Sequence, residues 1–262
     1  MAINESRRRS FGAKAELYDE ARPRYARELF ESVADYAGLS QSSRALEIGC
    51  GTGIATLPMA GYVGTIDAID PSEEMIAVAR RNLADHPGVR FRTGKFEDTP
   101  LGPAPYDLAY VAQAWHWIEP TTRCDLVADA LHPGGALALF GHATVTLFEE
   151  GQEAYRQHVP EWFENFEPLP PIEQRLATFR ETVADSDRFT DIETRRFPWV
   201  GSYTAEEFVR IMSTASDHAI VPEPRRTQMF NALAEVIEGL GGRVERANET
   251  LLVLARVGAP PG

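Results

Sequence analysis

The feature that most constrains this chain is a short apolar run that breaks into glycines. Residues 44–48 read RALEI, and Gly49, Gly51 and Gly53 follow at alternate positions before an apolar, helix-like stretch. Glycines lack Cβ, so the backbone can turn sharply and approach a ligand closely. The helix behind such a turn presents unpaired N–H groups. Pro58 falls inside that helix and is expected to kink or shorten it. The same unit opens an alternation. Strand candidates recur at 65–70, 89–93, 106–112 and 135–140, with helix candidates between them. Ser72 suits an N-cap, with Glu73 and Glu74 in the first turn and Met75, Ile76, Ala79 and Leu83 on one apolar face. Cys124, Val127, Ala128 and Leu131 form a second helical stripe. Repeated strand–helix units with right-handed crossovers give a parallel sheet covered on both faces.

The flanking segments break this rhythm. Residues 1–15 are expected to be mobile. Pro23 is expected to open a helix carrying Tyr25, Leu29, Val33 and Tyr36, which Gly38 ends. Residues 143–187 hold a crowd of aromatic and apolar side chains (Phe148, Tyr155, Val159, Trp162, Phe163, Phe166), interrupted by Pro160. The stripe Ile172, Leu176, Phe179 and Val183 follows, so the segment reads as a helical insertion. A strand near 191–200, helices near 204–215 and 225–240, and a last strand at 249–256 complete the pattern. Thr204 with Glu207 fits a capping box, Gly241-Gly242 fits a helix stop, and the tail GAPPG is expected to fray.

Charge and residue chemistry narrow the ligand. The net charge of −13 argues against nucleic acid, whose phosphates demand Lys and Arg, and against an anionic membrane surface. No window approaches a membrane-spanning length, and the basic N-terminal stretch has no apolar run behind it, so a cytoplasmic protein is expected. Two cysteines, Cys50 and Cys124, suit a reducing compartment, one as a small filler and one as core. His86, His132, His158 and His218 show no ligand-like spacing, so no metal site is expected. Asp70 ends the second strand, where a carboxylate can accept both hydroxyls of a ribose. A dinucleotide site prefers a third glycine where this chain has Ile54. Glu47 beside the loop would repel a pyrophosphate and attract a cationic amino-acid group. A phosphate-free nucleoside bearing a sulfonium and an ammonium therefore fits better than NAD.

At these residues the chain resembles the class I S-adenosylmethionine-dependent methyltransferases, over about 44–142. LEIGCGTG (46–53) is similar to their first motif and IDAIDPSEEMIAVAR (66–80) to their second. TGKFED (93–98) resembles the adenine segment, YDLAYVAQAWHW (106–117) the fourth-strand motif, and LHPGGALALF (131–140) the loop and strand after it. The AQAWHW form is similar to a small-molecule subgroup that includes relatives of the trans-aconitate methyltransferases. An N-terminal segment with Tyr and Arg-Pro often covers the cofactor there, and Tyr18 with Arg22-Pro23-Arg24-Tyr25 matches it. The resemblance implies that Glu47, Gly49, Gly51 and Gly53 hold the methionine part of S-adenosyl-L-methionine and Asp70 its ribose. It places Pro71, Ser72 and Met75 beside the adenine, Phe96 and Glu97 at its edge, and Gln113 near the methionine carboxylate or the reacting methyl. Lys95 stands where many relatives have a small residue or Asp, which leaves the contact to the adenine amino group to Glu97.

The fold expected on these grounds is α/β: a Rossmann-like, mostly parallel seven-stranded sheet with helices on both faces and a helical cap insertion. Its segments are an N-terminal helical lid (1–43), a cofactor-binding core (44–142), the cap insertion (143–187) and the C-terminal part of the sheet with helices (188–262). Glu47–Gly53, Asp70, Phe96–Glu97, Gln113–Trp117 and Gly141–His142 all fall at strand ends on one edge, where open parallel sheets bind ligands. Two readings of Trp115-His116-Trp117 stand. The indoles wall a substrate pocket with His116 as a general base, or they are core tryptophans around a hydrogen-bonded histidine. His142 is a second candidate base. Tyr25, Phe148 and Trp162 are candidate pocket-lining residues, and Arg22 can neutralise a carboxylate of cofactor or substrate. The expected activity is methyl transfer to an O, N or C atom of a small molecule. The alternative is a fold mate that binds the same cofactor but does other chemistry, such as a cyclisation, or only binds. The sequence leaves substrate and oligomeric state open.

Overall fold

The computed structural model of the chain describes residues 14–101, 105–144, 148–162 and 170–258. Its strands are β1 (Arg44–Ile48), β2 (Thr65–Asp70), β3 (Val89–Thr93), β4 (Tyr106–Ala112), β5 (Leu131–Thr144), β6 (Phe189–Thr204) and β7 (Arg243–Val257). They form one seven-stranded sheet in the order β3-β2-β1-β4-β5-β7-β6. The ladders from β3 across to β5 are all parallel. The α/β, mostly parallel sheet expected from the alternation is therefore present. Strand order reverses between β1 and β4, and that switch point is where such sheets open a crevice at their carboxyl ends. Glu47 lies beside Ala68 of β2 on one side and Tyr110 of β4 on the other, so the glycine turn starts at that crevice.

The described residues fall into two compact units. The sheet unit comprises the described residues within 24–142, 173–197 and 250–258; the helical unit comprises those within 14–23, 143–172 and 198–249. In the sheet unit, α2 (Arg27–Ala37) buries Leu29, Phe30 and Val33 in a core built on Ala45, Ile66, Leu108, Ala138 and Phe140. Strands buried on both faces carry nearly unbroken apolar runs, as Leu108–Val111 and Ala136–Phe140 do here. α3 (Thr56–Met59) is a single turn holding Pro58, whose ring and missing N–H shorten it as expected. α4 (Glu73–Asn82) is capped by the Ser72 hydroxyl, which accepts from Met75 N–H at 3.2 Å. α5 (Arg123–Ala130) and α7 (Ile172–Ala184) complete this unit's helices.

The helical unit holds α1 (Ala15–Ala21), α6 (Gln152–His158), α8 (Ala205–Ser213), α9 (Ser216–Ala219) and α10 (Arg225–Gly239). Its core packs Phe148, Val159, Phe208, Met229, Leu233 and Ile237. The Thr204–Glu207 capping box is formed in both directions, and Gly241 and Gly242 follow α10 with positive φ.

One expectation is corrected. Pro23 does not open a helix: α2 begins at Arg27, after extended residues whose Tyr25 ring is held edge-on to Phe30 and Phe140. α1 lies in the helical unit and α2 in the sheet unit. α7 belongs to the sheet unit, where Val183 is buried and the Thr182 hydroxyl accepts a hydrogen bond from Trp115 Nε1 at 2.9 Å. Phe163, Phe166, the first thirteen residues and the end of the tail lie outside the described residues.

Candidate cofactor-binding site

The glycine turn is fixed from below by β2. The N–H groups of Gly49 and Cys50 both donate to the Ile69 carbonyl, at 2.8 and 3.1 Å. Gly49 has φ +75°, and a Cβ built on it would lie 2.4 Å from the Ala114 Cβ, so only glycine lets this turn pass under the end of β4. Gly51 has φ +54°, but a Cβ there would meet nothing within 4 Å. That face is open at the switch point. Gly53 packs against Leu83 and Ala79 of the α4 region.

Two carboxylates flank the turn in contrasting ways. Asp70 accepts from Gly51 N–H through Oδ2 and from Ser72 N–H through Oδ1, both at 2.9 Å. It thus ties the turn to the start of α4. Glu47 is fully buried. Thr56 Oγ1 and Tyr110 Oη both donate to its Oε2, at 2.5 and 2.8 Å, while Oε1 is buried with no hydrogen-bond partner. Burial pushes the Glu47 carboxyl up to about 8; the Thr56 and Tyr110 hydrogen bonds pull it down, and Asp70 adds a smaller push upward. Burial also raises the Cys50 thiol well above its usual range, which makes it the inert filler expected.

The other candidate residues are distributed over both units. In the sheet unit, Pro71 is exposed, and Met75 and Phe96 are buried. Glu97 Oε1 accepts from Glu119 N–H at 3.1 Å, so this carboxylate also orders the chain after the β4 turn. Gln113 has a left-handed backbone, φ 60°, rare for a residue with a side chain. Its N–H donates to Phe140 O at 2.9 Å and its amide lies over Gly141. Strain of this kind persists where surroundings over-determine it, and it collects at functional sites. Beside it, His142 Nδ1 is 2.9 Å from Thr250 Oγ1, and the His142 ring stacks on Tyr25 at 4.5 Å. His116 is exposed, its ring 4.7 Å from the half-buried Trp117. Trp115 is core: its indole donates to Thr182, and Arg123 covers its ring at 4.6 Å.

In the helical unit, Arg22 Nη2 donates to Thr214 O at 3.1 Å, its guanidinium lies 4.9 Å over Tyr18, and its buried Nε has no partner. Phe148 is core as well, buried edge-on to Phe208 at 5.2 Å. Trp162 stacks on Tyr155 at 5.7 Å and meets His218 edge-on at 5.1 Å.

Sequence reading missed four participants. Thr56 and Tyr110, the donors to Glu47, read as ordinary helix and strand residues, and only the β1–β4 register places Tyr110 next to Glu47. Thr250 reaches His142 from a strand 108 residues away. His218, set aside for want of metal spacing, is hydrogen-bonded to Tyr155 Oη at 3.1 Å, and burial lowers it to about 4.

The donor set suits S-adenosylmethionine. A buried carboxylate oxygen without a partner calls for a cationic or N–H ligand group. Asp70 suits ribose hydroxyls, and its carboxylate opposes a diphosphate. Among the described residues, no His, Cys, Asp and Glu cluster could hold a metal, and no helix is long and apolar enough to cross a membrane.

Comparison with known proteins agrees. Residues 45–135 match the model of a methyltransferase domain. An uncharacterised methyltransferase of Mycobacterium bovis is 26% identical over 228 residues, covering 87% of this chain and 85% of that protein. Among solved structures, a type II methyltransferase candidate from Anaeromyxobacter dehalogenans shares the fold with TM-score 0.58 at 24% identity, over 90% and 97% of the two chains. A Haemonchus contortus phosphoethanolamine N-methyltransferase, solved with S-adenosylhomocysteine, has TM-score 0.57 at 15% identity, over 99% and 61%. Residues 45–135 thus match a methyltransferase domain, and the donor set they carry suits S-adenosylmethionine.

Proposed function

We propose that this methyltransferase acts in the cytoplasm on a small molecule, methylating an O, N or C atom, as in the subgroup similar to trans-aconitate methyltransferase relatives. The observation that carries this reading is the turn after β4. Gln113 is held in a left-handed conformation there, and the next turn presents exposed His116 beside Trp117 on a chain of net charge −13. A groove for nucleic acid would be cationic.

When bound, the cofactor supplies a methyl group made electrophilic by its sulfonium sulfur. The chain's part is to bind, align and exclude water. In this assignment Glu47, Gly49, Gly51 and Gly53 hold the methionine portion and Asp70 the ribose. Pro71, Met75, Phe96 and Glu97 flank the adenine. Gln113 meets the methionine end. Tyr25 and Trp117 contact the acceptor. His142, oriented by Thr250 and Tyr25, or His116 removes a proton from acceptors that need it. Aligning nucleophile and leaving group is worth about 7–11 kcal/mol of barrier.

The test is incubation with methyl-labelled S-adenosylmethionine and, in parallel, a small-metabolite extract, total RNA and duplex DNA. The expected result is label in the small-metabolite sample alone. Label in nucleic acid refutes the acceptor class. Bound cofactor with no labelled product in any sample favours a non-methylating role such as cyclisation. Full activity of His116→Ala and His142→Ala across pH removes both bases.

A further inference from the structure

Glu47 reaches the floor of the glycine turn with only neutral donors around it. Both hydrogen bonds it receives, from Thr56 and Tyr110, go to Oε2, while Oε1 is equally buried and receives none. The ionisable groups that face it are Tyr110 from β4, Cys50 within the turn and Asp70 from the end of β2. The β2 neighbour in register is Ala68, and α3 contributes only the Thr56 hydroxyl. None of these groups is a cation. A carboxylate charge placed there would lack the counter-charge that a buried ion requires. A proton on Oε1 removes that charge, and a ligand ammonium beside Oε1 would replace the proton.

We propose that Glu47 is a neutral carboxylic acid in the ligand-free protein, and that capture of a ligand ammonium at its Oε1 expels that proton to solvent. The inference rests on the reading of Glu47 as a contact of the methionine portion. The Oε1–H bond breaks heterolytically, the proton passes to buffer, and the carboxylate left behind pairs with the ammonium; nothing is oxidised. Burial, which already holds this carboxyl near 8, agrees with the geometry. The consequence is selective. Ligands that carry the ammonium bind with proton release and tighten as pH rises toward neutrality, and nucleosides without it do neither.

Calorimetric titration of the whole chain at pH 6.5, in buffers of different ionisation enthalpy, counts the protons released. S-adenosylhomocysteine is expected to release close to one proton per molecule. Its Kd is expected to fall nearly tenfold between pH 5.5 and 6.5. 5′-Methylthioadenosine, which keeps the adenosine and sulfur but lacks the ammonium, is expected to bind with no release. In Glu47→Gln, S-adenosylhomocysteine is expected to bind without release. Tyr110→Phe, which keeps the carboxyl but removes one donor, is expected to extend proton release to higher pH. Binding of S-adenosylhomocysteine with no buffer-dependent heat overturns the inference and leaves the cofactor reading standing, as does equal release with 5′-methylthioadenosine. No binding of either ligand overturns both.

Discussion

Gly49 and Gly51 share a left-handed backbone but not a neighbourhood, and alanine at each separates folding from binding. At Gly51, φ is +54° and a Cβ meets nothing within 4 Å. Alanine there costs about 1–2 kcal/mol for the left-handed conformation. Loss of unfolded-state freedom offsets about 0.4–1 kcal/mol of that. The net expectation is a destabilisation of about 1 kcal/mol. At Gly49 the same strain applies, and the new methyl would lie 2.4 Å from the Ala114 Cβ, a contact that must be relieved by moving backbone. Overpacking of this kind adds about 1–3 kcal/mol, giving about 2–4 kcal/mol in all. Urea denaturation of the ligand-free variants reads the difference. Calorimetry with S-adenosylhomocysteine reads the second half of the argument, because the Gly51 methyl occupies the open face at the switch point. Gly51→Ala is expected to fold nearly normally and lose at least tenfold in affinity. Equal stability of the two variants would refute the packing argument, and wild-type affinity in Gly51→Ala would refute the assignment of that face.

Two buried groups make pH predictions of opposite sign. The Glu47 carboxyl is raised from 4.5 to about 8 in the fold, so its contribution is fully present below pH 4.5 and is lost as pH rises through 8. At about 1.4 kcal/mol per pH unit, Glu47→Gln is expected to gain on the order of 3 kcal/mol relative to wild type between pH 5.5 and 8 in urea titrations; a pH-independent difference contradicts it. His218 is lowered from 6.5 to about 4, chiefly by burial with Arg22 adding to it, so its contribution is present above pH 6.5 and is lost as pH falls through 4. His218→Gln is expected to flatten the acid side of the stability profile, and an unchanged acid limb would show that another group governs it.

Much of this architecture was legible because its signals are local. The glycine spacing, the Ser72 cap, the Thr204–Glu207 box and the short turn around Pro58 depend on a few adjacent residues, and all are present as read. What could not be read depends on register and on distant chain. Tyr110 becomes a donor to Glu47 only because β1 pairs with β4 in one particular register. Thr182 turns Trp115 into core from 67 residues away. Phe148 carries an aromatic pattern that suits a pocket wall and a core equally, and its packing against Phe208 decides for core. Pro23 misled for a related reason: proline is compatible with a helix start but equally with the extended segment that anchors Tyr25 against Phe140.

The central claim is that the turn after β1 receives a cationic, phosphate-free nucleoside through Glu47 and Asp70. Side-by-side calorimetric titration of the protein and its Asp70→Ala variant with S-adenosylhomocysteine and with NAD tests it most directly. The account predicts one S-adenosylhomocysteine per chain, no heat with NAD, and at least a tenfold loss of affinity in a variant that remains folded. Binding of NAD with S-adenosylhomocysteine inert, or undiminished affinity in Asp70→Ala, contradicts it.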